Sequence, residues 1–245
     1  MVAEPNYGWH DWDIDGFTGL EIWNYMSTLK NALAEHFERL PVSWYWLAQL
    51  VALRVGLNPD RYFDGPQPAV LAKWDALLSA GKRIVAIGNS DAHGWTYRIG
   101  PIERVVYPYV DCFTAVNTRI LTPVPFNGDL AHDKRLVLQA LGAGHCWVGY
   151  DRPHPATGFR FTGQGVDRGI MGDRIRLGAG ATLQVRAPTS CHIRLICNGD
   201  VVAESQNSTA LTHIPNEEGA YRAECRILFH GRERGWIFSN PIYLY

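Results

Sequence analysis

Seven consecutive residues, Gly88-Asn-Ser-Asp-Ala-His-Gly94, carry the densest chemistry in this 245-residue chain. Asp91 and His93 stand two apart. If the chain stays extended there, both side chains point to one face. A carboxylate oxygen beside an imidazole nitrogen is a normal ligand pair for zinc, manganese or iron. Gly88 and Gly94 let the backbone approach an ion or a substrate closely. Asn89 and Ser90 flank the pair and could contact a substrate oxygen. The competing reading makes this a capped turn with His93 exposed, because a metal site needs at least three protein ligands and no second dense cluster is visible.

Other residues could join such a site. Glu21 closes the run Gly19-Leu-Glu-Ile-Trp-Asn24 and could support the ligands or be an extra one; Asn24 follows it at the strand end. His10 sits in a Trp- and Asp-rich segment, Tyr7 to Asp13, and could face substrate or an ion. Arg98 and Arg104 follow the Asp-x-His motif and could meet a phosphate through paired N–H donors. Each also has a plain reading as a solvated or structural residue. His145 and Cys146 suggest a nucleophile pair, but neighbours on a strand point to opposite faces.

The elements that must position these groups fall into two textures. Residues 17–23 read as a short buried strand. Apolar spacing of three and four predicts helices over 27–40, 44–55, 69–78 and 129–141. Arg83-Ile-Val-Ala-Ile-Gly88 is a continuous apolar run between turn residues, the pattern of a strand buried on both faces of a parallel sheet. His145 to Tyr150 reads as another short strand. After about residue 155 short runs alternate apolar and polar, separated by turns, and Asn198-Gly199 between two such runs predicts a hairpin. The pattern therefore predicts an α/β part over residues 1–154 and a small antiparallel β-sandwich over 155–245.

Hydrophobic residues make up 47% and charged residues 19%, and the net charge is −1. No bulk field favours nucleic acid or an anionic membrane. Five cysteines, an odd count without a CxxC pair, argue against a disulfide framework or a structural zinc site. The first residues carry neither a basic nor an apolar leader pattern, and the most apolar window, 42–57, is interrupted by Gln49 and Arg54. The chain reads as soluble.

The segments GFTGLEIWN (16–24), IVAIGNSDAHG (84–94), ALGAGHCWVG (140–149) and GWIFSNPIYLY (235–245) resemble the C-terminal half of the polymerase and histidinol phosphatase (PHP) superfamily. The likeness is to its branch of metal-dependent phosphoesterases and ester or carbamate hydrolases with a C-terminal β domain. That resemblance implies a distorted seven-stranded β/α barrel, of which this chain would hold the later part. It implies two or three divalent metals on His, Asp and Glu at several strand ends, with Asp91 and His93 matching the last ligand motif. It implies a small phosphoester or related ester as substrate, attacked by metal-activated water.

The chain departs from that family at its start. No His-x-His occurs anywhere, and Ala3-Glu-Pro5 places Glu4 where the family carries a His. Two expectations follow: a chain lacking the first half of the barrel, or a relative that has lost catalysis. Either predicts an incomplete metal cluster and impaired hydrolysis. A missing half would also expose strand edges and invite self-association. The reading from a different class is a non-catalytic binding or interaction module. A weaker one gives the β domain a carbohydrate-binding role, which would need Trp236 in an exposed patch.

Overall fold

The computed structural model describes residues 14–28, 59–62, 64–99, 102–106, 108–178 and 180–245. Glu4, His10, the helix expected over 44–55 and most of that over 27–40 lie outside them.

Strands β1 (Gly19–Asn24) and β2 (Val85–Asn89) form a parallel pair. Helix α1 (Pro68–Ser79) lies between them in sequence and buries Val70, Trp74 and Leu78, one residue per turn. Pro68 suits its first turn, where a missing N–H costs nothing. Trp74 Nε1 donates to the Ile84 carbonyl at 2.9 Å, tying the helix to the approach of β2. A hairpin of β3 (Trp95–Ile99) and β4 (Ile102–Val106) follows, then the short helix α2 (Tyr109–Phe113) and strand β5 (Val116–Ile120). Helix α3 (Leu130–Ala143) starts at Asp129, whose carboxylate accepts from His132 N at 2.6 Å, and ends at Gly144 with φ +78°.

The rest is sheet. Strand β6 (Cys146–Tyr150) pairs antiparallel with β5 and with β13 (Arg232–Ser239). From β13 the sheet continues through β12 (Gly219–Phe229), β10 (Thr182–Cys197), β7 (Arg160–Gln164) and β8 (Arg168–Ile170). Strand β11 (Asp200–His213) flanks β10, and β14 (Ile242–Leu244) bridges β12 and β9 (Arg174–Ile175). The β10–β11 turn is the expected Asn198-Gly199, with φ of 51° and 97°. Two positive φ angles make the turn twist with the strands.

This is not a β/α barrel followed by a separate sandwich. The molecule is mostly β, and its main body is one ten-stranded sheet, antiparallel except for β9 with β14. Two physical facts overturn the expectation. First, α3 connects β5 to β6, yet those strands run antiparallel, with Val116 opposite Tyr150, so the helix is not a parallel crossover. Second, the outer edge of β2 meets side chains instead of another strand. Thr118 Oγ1 accepts from Gly88 N at 2.9 Å and donates to Gly88 O at 2.7 Å. Asn240 accepts from Ala86 N at 2.7 Å and donates to Ala86 O and Cys146 O at 3.0 and 2.9 Å. Among the described residues the parallel arrangement therefore stops at two strands. The pairing of β6 with β13 also carries the sheet across residue 155.

Strand β6 separates two cores. Val148 and Tyr150 face one built on Leu20, Trp23, Trp74 and Phe238. Trp147 faces the other, with Phe159, Phe161 and Trp236. None of the five cysteines forms a disulfide, and all five are buried. Among the described residues no helix is long and apolar enough to cross a membrane.

Candidate functional site

Three strands end at one place. β1 and β2 are parallel, and β6 runs alongside β2 in the same direction: Asn240 touches Ala86 and Cys146 at their starts, while Val148 packs against Gly88 further along. A Cβ on Gly88 would stand 2.4 Å from Val148 Cγ1, so glycine permits this approach. Asn24, Asn89 and Tyr150 consequently finish on the same side of the molecule.

Glu21 is 6% exposed at this end, where a bulge between Glu21 and Trp23 shifts the register of β1. Asn89 Nδ2 donates to its Oε1, and Asn24 Nδ2 lies 3.4 Å from both oxygens. Burial pushes the Glu21 carboxyl up to about 6, and the nearby Asp91 charge adds to the rise. Asn24 also caps the helical residues 25–28, accepting from Ser27 N at 2.8 Å.

The Asp-x-His segment is not extended as expected. The strand stops at Asn89, whose Oδ1 accepts from Asp91 N at 2.6 Å. That side-chain cap turns the chain and holds Asp91 at φ +46°, a left-handed conformation an Asp tolerates better than most residues. His93 Nδ1 is 2.6 Å from the Asp91 carbonyl. A carbonyl only accepts, so Nδ1 carries the proton and Nε2 is the acceptor nitrogen of the ring. The same Nδ1 lies 3.6 Å from Asp91 Oδ1. Gly94, at φ +54°, lies beneath the Tyr109 ring, 2.9 Å from where a Cβ would be.

The structure thus gathers Glu21, Asn24, Asn89, Asp91 and His93, with Ser90 buried between them. Arg98 lies on β3, and its side chain is outside the described set. Glu4 and His10 are outside it as well. Among the described residues no three His, Cys, Asp or Glu side chains form a group able to hold a metal. Trp236 is fully buried and donates to His154 O at 2.7 Å, which removes it from any carbohydrate-binding surface.

A second polar group at the same end escaped the sequence. Asp60 accepts from Tyr150 Oη at 2.6 Å and Tyr25 Oη at 3.1 Å, and Arg152 Nε lies 3.2 Å from its other oxygen. Arg152 also reaches Asp111 at 3.5 Å. Burial, and then the Asp60 charge, push both tyrosine hydroxyls far up, so they serve as donors. Burial also raises the Cys112 thiol, with smaller effects from Asp111 and Asp91. No motif marks Asp60; only the tyrosines' places at two strand ends bring partners to it. Beyond Arg152 an open cleft of about 1050 Å³ runs along β5 and the 151–160 segment.

No family model, no curated protein and no solved structure matches the chain. The fold and the strand-end geometry therefore carry the functional argument.

The raised Glu21 carboxyl makes one prediction for protein kept metal-free with a chelator. A folded-state value near 6 against an ordinary 4.5 means the folded protein binds the extra proton between those pH values. Stability from this group is complete below pH 4.5 and is lost as pH rises through 6. Glu21→Gln, which keeps an oxygen acceptor for Asn89, should be more stable than the parent at pH 7.5 and lose that advantage at pH 4.5. Urea denaturation at the two pH values measures it. An equal difference at both would show that Glu21 is not held in this state.

Proposed function

We propose that this chain is a divalent-cation-dependent hydrolase of phosphoesters or related esters, with its cation held where β1 and β2 end. The observation that carries the proposal is the buried Glu21 carboxylate beside Asp91, with two neutral amides as its hydrogen-bond donors. Two neighbouring carboxylates without a bridging proton favour a cation between them. The resemblance of residues 84–94 to the last ligand motif of the PHP superfamily supports the same reading.

Glu21 and Asp91 are hard oxygen donors and His93 a nitrogen donor, residue types proper to zinc, manganese or iron, although among the described residues the three side chains do not converge as one ligand group. The Nδ1 contact to the Asp91 carbonyl orients His93 with Nε2 as its electron-pair donor, the arrangement usual in ligating histidines. A bound divalent cation would supply Lewis acidity toward a phosphoryl or carbonyl oxygen. Asn89 positions both acids, one through each end of its amide.

A second reading is a cation-holding binding module without turnover. It is favoured by the count of donors, which among the described residues does not reach a three-ligand group. Titration with manganese and zinc by calorimetry, with hydrolysis of p-nitrophenyl phosphate in parallel, separates the two. The hydrolase reading expects metal-stimulated turnover that Asp91→Asn and His93→Ala each lower at least ~100-fold, a typical loss when one charge-stabilising group is removed. Binding without turnover supports the module. A chain that takes up neither metal overturns both.

A further inference from the structure

The cleft beside β5 lies on the opposite face from the cation site. Val116, Thr118 and Val148 face β2, so Arg119 and Trp147, alternating with them, face away. Arginines from three elements line it: Arg119 on β5, Arg152 after β6 and Arg160 on β7. Trp147, Phe113 and Leu121 give it apolar walls.

Among the described residues three donors in this wall lack hydrogen-bond partners, on Trp147, Arg119 and Arg152, the last lying within its ion pair with Asp60. Trp147 is 4% exposed and its Nε1–H has none; the Nε–H of Arg119 has none either. The two residues are cross-strand partners, and both nitrogens lie within 4 Å of one point over Gly149, at 3.9 and 3.8 Å. Unpaired buried donors are costly, and two that converge can share one acceptor oxygen. Ala156 covers the same point, its Cβ 2.6 Å from it. The cover is fastened by a carboxylate: Asp151 accepts from Ala156 N at 2.7 Å and from Arg119 Nη2. An incoming carboxylate can replace Asp151 on Arg119 with no change in bond type, and lifting Ala156 then opens both donors to it.

Charge sets the class further. Asp151 balances Arg119, and Asp60 and Asp111 flank Arg152. Arg160 has a backbone carbonyl as its acceptor and no ion pair among the described residues. Three arginines thus stand with three carboxylates, and Arg160 is the one left without a carboxylate partner among the described residues, which makes it the contact for an incoming anionic group. We propose that this cleft binds a small organic monocarboxylate with an apolar or aromatic body, its oxygens held by Arg119, Arg160 and the indole N–H of Trp147.

The test uses the whole chain labelled with ¹⁵N at its indoles. The chain has nine Trp, and Trp147→Phe assigns the Trp147 signal by its disappearance. Benzoate, phenylacetate and hexanoate are titrated, with inorganic phosphate and benzyl alcohol as controls. At least one carboxylate should move the Trp147 indole signal saturably, while the controls leave it in place. Arg160→Gln, an exposed change outside any ion pair, should weaken that dissociation constant roughly tenfold, the loss of one charged hydrogen bond. An unmoved Trp147 signal with all three carboxylates overturns the proposal, as does tighter saturation by phosphate or an Arg160→Gln affinity equal to the parent's. The titration is run on protein freed of metal beforehand and dialysed clear of chelator, so its outcome is independent of the cation site.

Discussion

Replacing Arg222 with leucine is expected to remove about 3–5 kcal/mol of folding stability, the usual cost of stripping one partner from a buried ion pair. Arg222 is 2% exposed. Its Nε and Nη2 meet the two oxygens of Asp75 at 2.7 and 2.8 Å, and its Nη1 meets Glu224 at 2.6 Å. The guanidinium carbon lies 5.1 Å from the centre of the Trp74 ring. Burial alone would lower the Arg222 pKa, but Asp75 and Glu224 more than offset it and hold the charge in place. This one side chain joins α1 to β12 across 147 residues of sequence. Leucine would leave half-buried Asp75 without its cation and the buried Glu224 with only the longer contact to Arg194 at 3.4 Å, and desolvated carboxylates without a close partner are expensive. Arg222→Lys keeps the charge but loses the paired geometry and should fall between the two. Urea unfolding followed by circular dichroism reads all three proteins. A loss below about 1 kcal/mol for the leucine variant, the range of an exposed pair, would show that this contact does not hold the helix to the sheet.

How much of this was legible in the sequence depends on whether the signal was local. Asp129 and Gly144 bracket α3 as a capping residue and a left-handed stop should. Asn198-Gly199 specified its own turn, and the apolar run at 83–88 did become a strand, though only alternate residues of it are fully buried. These depend on a few neighbouring residues. The direction in which strands pair does not. The same apolar run serves a parallel sheet or a pair sealed by side chains, and only Thr118 and Asn240, 30 and 154 residues away, decide between them. At the site, the sequence supplied Glu21, Asn89, Asp91 and His93 but not the turn between them. An Asn two residues before an Asp can remain in a strand or cap the Asp N–H, and here capping wins. Asp60 had no local signal, because its tyrosine partners come from positions 25 and 150.

The largest effect at a single polar side chain outside the ion pairs is expected at Asn240. Asn240→Leu should cost about 2–4 kcal/mol, since it removes three buried hydrogen bonds, leaving Ala86 N–H unpaired, Ala86 O with only the Cys146 thiol at 3.9 Å and Cys146 O with only the backbone N–H of residue 240 at 3.3 Å. The side chain is 1% exposed and acts as a short piece of missing strand. Its oxygen takes Ala86 N–H, and its two amide hydrogens serve Ala86 O and Cys146 O, with Cys146 Sγ also 3.1 Å away. The Cys146 thiol, pushed up to about 12 by burial, remains neutral beside it. Aspartate matches the shape but offers no donors and adds a buried charge, so Asn240→Asp should be no better than leucine at pH 7. The local consequence is sharper than the global one. With Asn240 gone, the outer edge of β2 is held by Thr118 at Gly88. Native-state hydrogen exchange at Ala86 should accelerate by more than the loss of global stability explains. If Ala86 exchange merely tracks global unfolding, Asn240 contributes packing and not the seam. If it outpaces it, β2 is fastened by side chains, and the Asp91 carboxylate just beyond its end is positioned in part by a residue 154 positions from Ala86.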